Sequence, residues 1–164
     1  MRRTHSSVHF CHCGDHAFAA LTKGYMALVS PEDAGALKER CWYAHVGPTK
    51  YVTAMSSAGG RYVLSRTVLN ARPGDLIDHK NRDSLDCRRG NLRHADPVLN
   101  QGNRRPNKGR VLPKGVYKLR DRYVARVTFR GKVYSLGTHA TPEEAAQAYA
   151  KKARELFGEF ARVA

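Results

Sequence analysis

The sequence predicts an α+β protein in three parts: a small mixed N-terminal region, a polar segment over residues 71–110, then a three-stranded antiparallel sheet with one packed helix. Three observations carry this. Short β-prone runs punctuated by Gly- and Pro-bearing turns recur from residue 24 to residue 64. Residues 123–129 alternate, with Tyr123, Ala125, Val127 and Phe129 against Val124, Arg126 and Thr128. Residues 141–158 hold a helical period bounded by a cap and a glycine.

Taken in order, residues 1–20 are a Cys/His-rich lead, and residues 24–29 read as a strand. Ser30 is placed to cap a short helix, with Pro31 in its first turn and Glu32 and Asp33 suiting its dipole. That helix should end near residues 38–40. Residues 42–46 and 51–55 make a hairpin around Gly47-Pro48-Thr49, and Gly59-Gly60 turns the chain into Tyr62-Val63-Leu64. Residues 71–110 are rich in Asn, Asp, Arg and Gly, and read as a loop. A loop of that length in a compact domain is suspect unless it does something. Asp96-Pro97 supplies a cap and first residue for a short helix through Val98, Leu99 and Asn100, and residues 106–112 form a basic linker. Strands follow at 116–117, 123–129 and 133–136. Thr141-Pro142-Glu143-Glu144 then starts a helix presenting Ala145, Ala148, Tyr149, Ala153 and Leu156 until Gly158 ends it. One sheet face is apolar and packs on the helix; the cationic face stays open.

The 164 residues carry 29 basic and 14 acidic side chains, a net charge of +15. The first 60 residues hold only +2 of it, residues 61–110 hold +7 and residues 111–164 hold +6. A polyanion-binding surface should therefore lie in the last two-thirds. No run approaches the roughly 18 apolar residues of a membrane helix. Residues 1–5 lead into polar sequence rather than an apolar secretion segment. Four cysteines do not make a disulfide scaffold.

Asp78-His79, Asn91 and Asn100 form the central constellation. Phosphodiester hydrolysis needs an activated water and a cation to take up charge on the phosphate. His79 can act as base near neutral pH, and Asp78 and Asn100 offer hard oxygens suited to Mg²⁺ or Mn²⁺. Asn91 can hold His79 by hydrogen bonding. Adjacent strand residues face opposite ways, so Asp78 and His79 cooperate only where a strand breaks into loop. A lone Asp-His pair is more often structural.

The surrounding residues decide more. Asp75-Leu-Ile-Asp78-His79, Leu85-Asp-Cys87-Arg88-Arg89, Asn91-Leu-Arg93 and Asn100-Gln-Gly-Asn103 together resemble the HNH endonucleases of phages and mobile introns. The resemblance implies a ββα-metal core at 75–105 within a domain spanning 21–105. It implies His79 as general base, Asp78 and Asn100 as metal ligands, and Asn91 as the residue orienting His79. Cys87 stands where the family usually carries asparagine, which puts the loop's rigidity in doubt.

Residues 113–164 are similar to the Apetala/ethylene-response-factor DNA-binding domain through Gly115-Val-Tyr117, residues 123–127, Leu136-Gly-Thr138 and Glu144-Ala-Ala-Gln-Ala-Tyr149. In that family the sheet enters the major groove. Lys114, Tyr117, Arg126, Thr128 and Arg130 are the expected DNA contacts there; Arg88, Arg89, Arg93, Arg104 and Arg105 are expected phosphate contacts. Cys11, Cys13 and His16 could hold a structural Zn²⁺, with His9 and His12 close by. Against it, C-x-C is tight spacing and no C-x-x-C follows.

The expected protein is a metal-dependent endonuclease of double-stranded DNA. It is expected to be monomeric and cytoplasmic, encoded by a phage or a bacterial host, with neither a membrane nor a small-molecule substrate as partner. The rival is a DNA-binding regulator with a degenerate core, and a third reading is an RNA-binding basic protein.

Overall fold

Small side chains set the first sheet: Ala17, Ala19, Ala27 and Val29 are fully buried and let neighbouring segments approach closely. The computed structural model describes residues 7–48, 51–57, 59–104 and 109–163. The chain divides into two units, residues 1–95 and 96–164.

In the first unit, β1 (Val8–Phe10), β2 (Ala17–Ala20) and β3 (Met26–Val29) run antiparallel in succession. The strand expected over 24–29 is β3. The β1–β2 hairpin was not foreseen in the Cys/His lead. A 3-10 turn at Pro31–Asp33 leads into α1 (Ala34–Lys38). Ser30 does not cap this turn with its side chain; its hydroxyl accepts the Arg89 N–H at 2.9 Å. β4 (Tyr43–Val46), β5 (Val52–Ser56) and β6 (Tyr62–Val63) form a second antiparallel sheet, with Tyr43 opposite Met55. Leu64, expected to continue the last strand, instead opens α2 (Leu64–Val68) and is fully buried. Trp42 closes this core beside Leu37, and its Nε1 donates to the Ala36 carbonyl at 2.9 Å.

The region read as loop contains three strands, β7 (Leu76–His79), β8 (Asp86–Cys87) and β9 (Leu92–Ala95). β7 and β9 pair antiparallel, while β8 joins β3 in parallel, placing Cys87 opposite Val29.

The second unit begins with α3 (Pro97–Asn103), capped by Asp96 Oδ1, which accepts the Leu99 N–H at 2.7 Å. β10 (Val116–Leu119), β11 (Arg122–Phe129) and β12 (Lys132–His139) form the expected antiparallel sheet in that order. Arg130 and Gly131, both with positive φ, make the two-residue turn between Phe129 and Lys132. α4 (Pro142–Phe157) starts with a reciprocal cap: Thr141 Oγ1 accepts the Glu144 N–H, and Glu144 Oε2 accepts the Ala140 N–H. It buries Ala145, Tyr149, Ala153 and Phe157 against the sheet, with Phe129 edge-on to Phe157 at 5.2 Å. The fold is α+β.

Two glycines make these contacts possible. At Gly115, φ is +76° and an added Cβ would sit 2.0 Å from the Tyr149 ring. At Gly102 a Cβ would meet the Phe157 ring at 2.8 Å and the Phe160 carbonyl at 2.9 Å. Close packing there, with the Arg162 N–H on the Gly102 carbonyl, is why α3 belongs to the second unit.

Candidate active site

The β7–β9 register places Asp78 opposite Arg93 and His79 opposite Leu92. Asp78 and His79 are both buried, at 8% and 7% exposure. A buried carboxylate needs a partner, and its cross-strand neighbour supplies one. Arg93 donates to Asp78 Oδ2 from Nε at 2.9 Å and from Nη2 at 2.7 Å. This corrects the expectation for Arg93: it is buried and committed to the carboxylate, not offered to phosphate.

His79 is the last residue of β7, still opposite Leu92, and the loop begins at Lys80. Burial lowers the His79 pKa below the ordinary 6.5, and the Asp78, Asp83 and Asp86 carboxylates pull the other way. The imidazole is thus neutral at neutral pH. Cys87 Sγ lies 3.9 Å from Nε2 and 3.8 Å from the Ser84 carbonyl. Burial raises the thiol pKa, so Cys87 is a neutral neighbour.

Asn91 bonds the loop that follows His79. Its Oδ1 accepts the Asn81 N–H at 2.9 Å and its Nδ2 donates to the Asp86 carbonyl at 2.7 Å. Both bonds go to loop backbone, and the Asn91 carbonyl accepts the Lys80 N–H beside them. Asn91 therefore braces that loop. Asn81 Nδ2 to Asp86, and Asp83 Oδ1 accepting the Leu85 N–H, complete that loop.

Sequence reasoning missed Asp86 and Tyr51. Asp86 is 2% exposed and takes a forked bond from Arg88, which lowers its pKa. Tyr51 is 53% exposed overall, yet desolvation at its hydroxyl end, beside Ser84, raises its pKa. The Leu-Asp-Cys-Arg-Arg run held the signal for Asp86; nothing in the sequence marked Tyr51.

The remaining expected contacts fall as follows. Arg88 pairs with Asp86, and Arg89 pairs with Asp33, yet each side chain stays nearly half exposed. Asp33 lies in the first turn, as expected, and also holds Arg89. Asn100 is half-buried on α3, its N–H on the Asp96 carbonyl at 3.0 Å. Arg104 is exposed, and Arg105 lies outside the described residues. Lys114 is a correction: its ammonium donates to the Gln101, Gly102 and Arg104 carbonyls at 3.2, 2.5 and 3.1 Å. These carbonyls lie at the end of α3, and Lys114 adds a charged donor to them. Tyr117, Arg126, Thr128 and Arg130 are all exposed on the second unit. Cys11 and Cys13 are joined as a disulfide, and His16 Nδ1 lies 3.7 Å from Cys13 Sγ.

The oxygen of a carboxylate held rigid by arginine is a hard donor that fits Mg²⁺ or Mn²⁺. Beside a neutral imidazole, it is the equipment a phosphodiester hydrolase needs. Comparison with known proteins gives the family. Over 144 residues the chain is 31% identical to an uncharacterized HNH endonuclease of Acanthamoeba polyphaga mimivirus, covering 85% of this chain and 74% of that one. The chain belongs to the HNH endonuclease family. No family model and no solved structure matches it. Among the described residues, no helix is long and apolar enough to cross a membrane.

Proposed function

We propose that the protein is a metal-dependent endonuclease that hydrolyses phosphodiester bonds of double-stranded DNA, acting as a monomer. The observation that carries this is the buried, neutral His79 at the end of β7, next to a carboxylate fixed by Arg93. His79 takes the proton from the attacking water. Asp78 would offer an oxygen to Mg²⁺ or Mn²⁺. The cation, when bound, would draw charge from the scissile phosphate and its leaving oxygen. Asn91 and Asp86 keep the loop after His79 in one conformation.

Targeting falls to the C-terminal sheet, which we read as Apetala/ethylene-response-factor-like. Support comes from Arg126 and Thr128, exposed between the buried Ala125 and Val127, with Tyr117 50% exposed on the adjacent strand. Arg88, Arg89, Arg104 and Arg130 add exposed charge for phosphate.

One observation favours the rival, a DNA-binding regulator without catalysis: Cys87 lies against the imidazole nitrogen that would accept a proton. Cleavage of plasmid DNA with Mg²⁺ or Mn²⁺ by the wild type and by His79→Ala separates the two. Loss of the base should cost about 10²–10⁴-fold in rate with DNA affinity nearly unchanged. Full activity in His79→Ala would refute the assignment. Binding without cleavage by the wild type would select the regulator, and metal-independent preference for structured RNA the third reading.

A further inference from the structure

We propose that Cys11, Cys13 and His16, once the two cysteines are reduced, bind one thiophilic divalent cation, with Zn²⁺ as the occupant. This site is chemically separate from the Asp78–His79 site: sulfur and nitrogen donors select Zn²⁺, whereas the Asp78 oxygen suits Mg²⁺ or Mn²⁺.

The frame is already built. Residues 11–16 form the turn between β1 and β2, closed by the Cys11 N–H on the His16 carbonyl at 3.0 Å and the Gly14 N–H on the Cys11 carbonyl at 2.9 Å. Gly14 supplies the positive φ of +78° that the turn needs. The Cys13 N–H points at Cys11 Sγ from 3.4 Å, a donor well placed to stabilise a thiolate. His16 is steadied by its ring contact with Phe18 at 6.2 Å, and the β2 residues Ala17 and Ala19 are fully buried.

The Cys13–His16 separation matches the coordination, and the two sulfurs must part on reduction to reach it. The three donor atoms lie within 4.8 Å of one another, and His16 Nδ1 is 3.7 Å from Cys13 Sγ. A tetrahedral zinc with Zn–S of about 2.3 Å and Zn–N of about 2.0 Å has donor–donor edges of about 3.5–3.8 Å. Cys13 is exposed and its partners half-buried, so a cation has access and water can take the fourth position.

Disulfide and metal exclude each other. Two electrons from a dithiol, itself oxidised to a disulfide, and two protons open the Cys11–Cys13 bond to a pair of thiols. Zn²⁺ then displaces both thiol protons to solvent and takes the Nδ1 lone pair of His16. The turn is thus a redox-gated metal site.

The test uses the full chain reduced with a phosphine, which ends as its oxide, and then freed of excess reductant. Co²⁺ titration should give one ion per chain, with a thiolate-to-cobalt charge-transfer band and tetrahedral visible bands that Zn²⁺ abolishes. Oxidised protein should show neither band. The Cys11→Ser, Cys13→Ser double variant should lose both bands, and His16→Ala should weaken affinity roughly tenfold or more. His79→Ala should keep them at full strength, which separates this site from the Asp78–His79 site. No charge-transfer band in reduced wild type would overturn the proposal, as would a band surviving the double replacement. Should that variant not fold, equal bands in oxidised and reduced wild type would overturn it instead.

Discussion

Arg93 and Asp78 are each less than a tenth exposed as side chains, and neither charge can stand alone there. Removing one partner of such a pair costs about 3–5 kcal/mol, because the other is left buried and uncompensated. Arg93→Met should lower unfolding stability by that amount in denaturant titration. A loss under about 1 kcal/mol would mean that the pair contributes as little as an exposed one. The same coupling governs how Asp78 should be probed: Asp78→Ala strands Arg93, so lost activity would confuse misfolding with lost metal binding. Asp78→Asn keeps the shape and an acceptor oxygen, and is the cleaner variant. His79 yields a pH prediction. Its folded pKa lies below 6.5 through burial, so below 6.5 the unfolded imidazole takes up a proton that the folded one refuses. Stability should therefore fall as pH drops from 6.5 through the lowered folded value, and the acid limb of the cleavage rate should lie in that same window. Denaturation and cleavage measured from about pH 5 to 8 check both. A stability slope unchanged in His79→Asn would show that another group sets it.

Elements were legible in proportion to their length and regularity. β11 and α4 each carry a full period, and their caps are readable as Thr141-Pro142 and Gly158, so the second unit could be read almost element by element. β7 could not be. It is four residues long and ends in two polar side chains, buried by tertiary contacts with β9 and Cys87. β8 is two residues, and its place beside β3 is a non-local parallel contact that no local pattern announces. The Asp78-His79 pair was readable from the motif; Arg93 as its partner was not, because that follows from hairpin register. Lys114 was misread for a similar reason: a lysine in a basic segment looks like a phosphate contact, and its proximity to the α3 carbonyls is tertiary. Burial lowers its pKa to about 8, with Arg162 adding to the shift. Lys114→Met should cost about 1.5–3 kcal/mol in unfolding stability, as for hydrogen bonds to a charged group. It should leave the salt dependence of DNA binding unchanged. A log–log salt slope reduced by about 1, with stability intact, would restore the phosphate role.

For the whole molecule, the division between residues 95 and 96 changes what can be cut from it. A fragment starting at residue 113 would discard α3, and with it Gly102 beneath Phe157, the Arg162 N–H on Gly102, and the carbonyls that hold Lys114. Such a fragment would leave the Lys114 ammonium without its acceptors and one side of Phe157 bare. The fragment 96–164 keeps all of these. It should unfold cooperatively, with a higher melting temperature than 113–164, which circular dichroism can measure. It carries Asn100 but neither Asp78 nor His79, so it should bind duplex DNA and not cut it. Within it, Arg126 and Thr128 face outward opposite Ser135 and Val133 of β12, on the side of β11 away from the buried Ala125 and Val127. Arg126→Ala should therefore cost about 1–3 kcal/mol of binding and relax preference at one base pair if the arginine reads a base edge. If it touches only phosphate, affinity should fall evenly across sequences and the salt slope should shrink by about 1. Binding to several duplexes at two salt concentrations distinguishes these outcomes. No affinity at low salt, or none lost on replacing Arg126 and Arg130 together, would remove the sheet as the DNA-reading surface and leave the exposed arginines of the first unit, Arg88 and Arg89, as the better candidates.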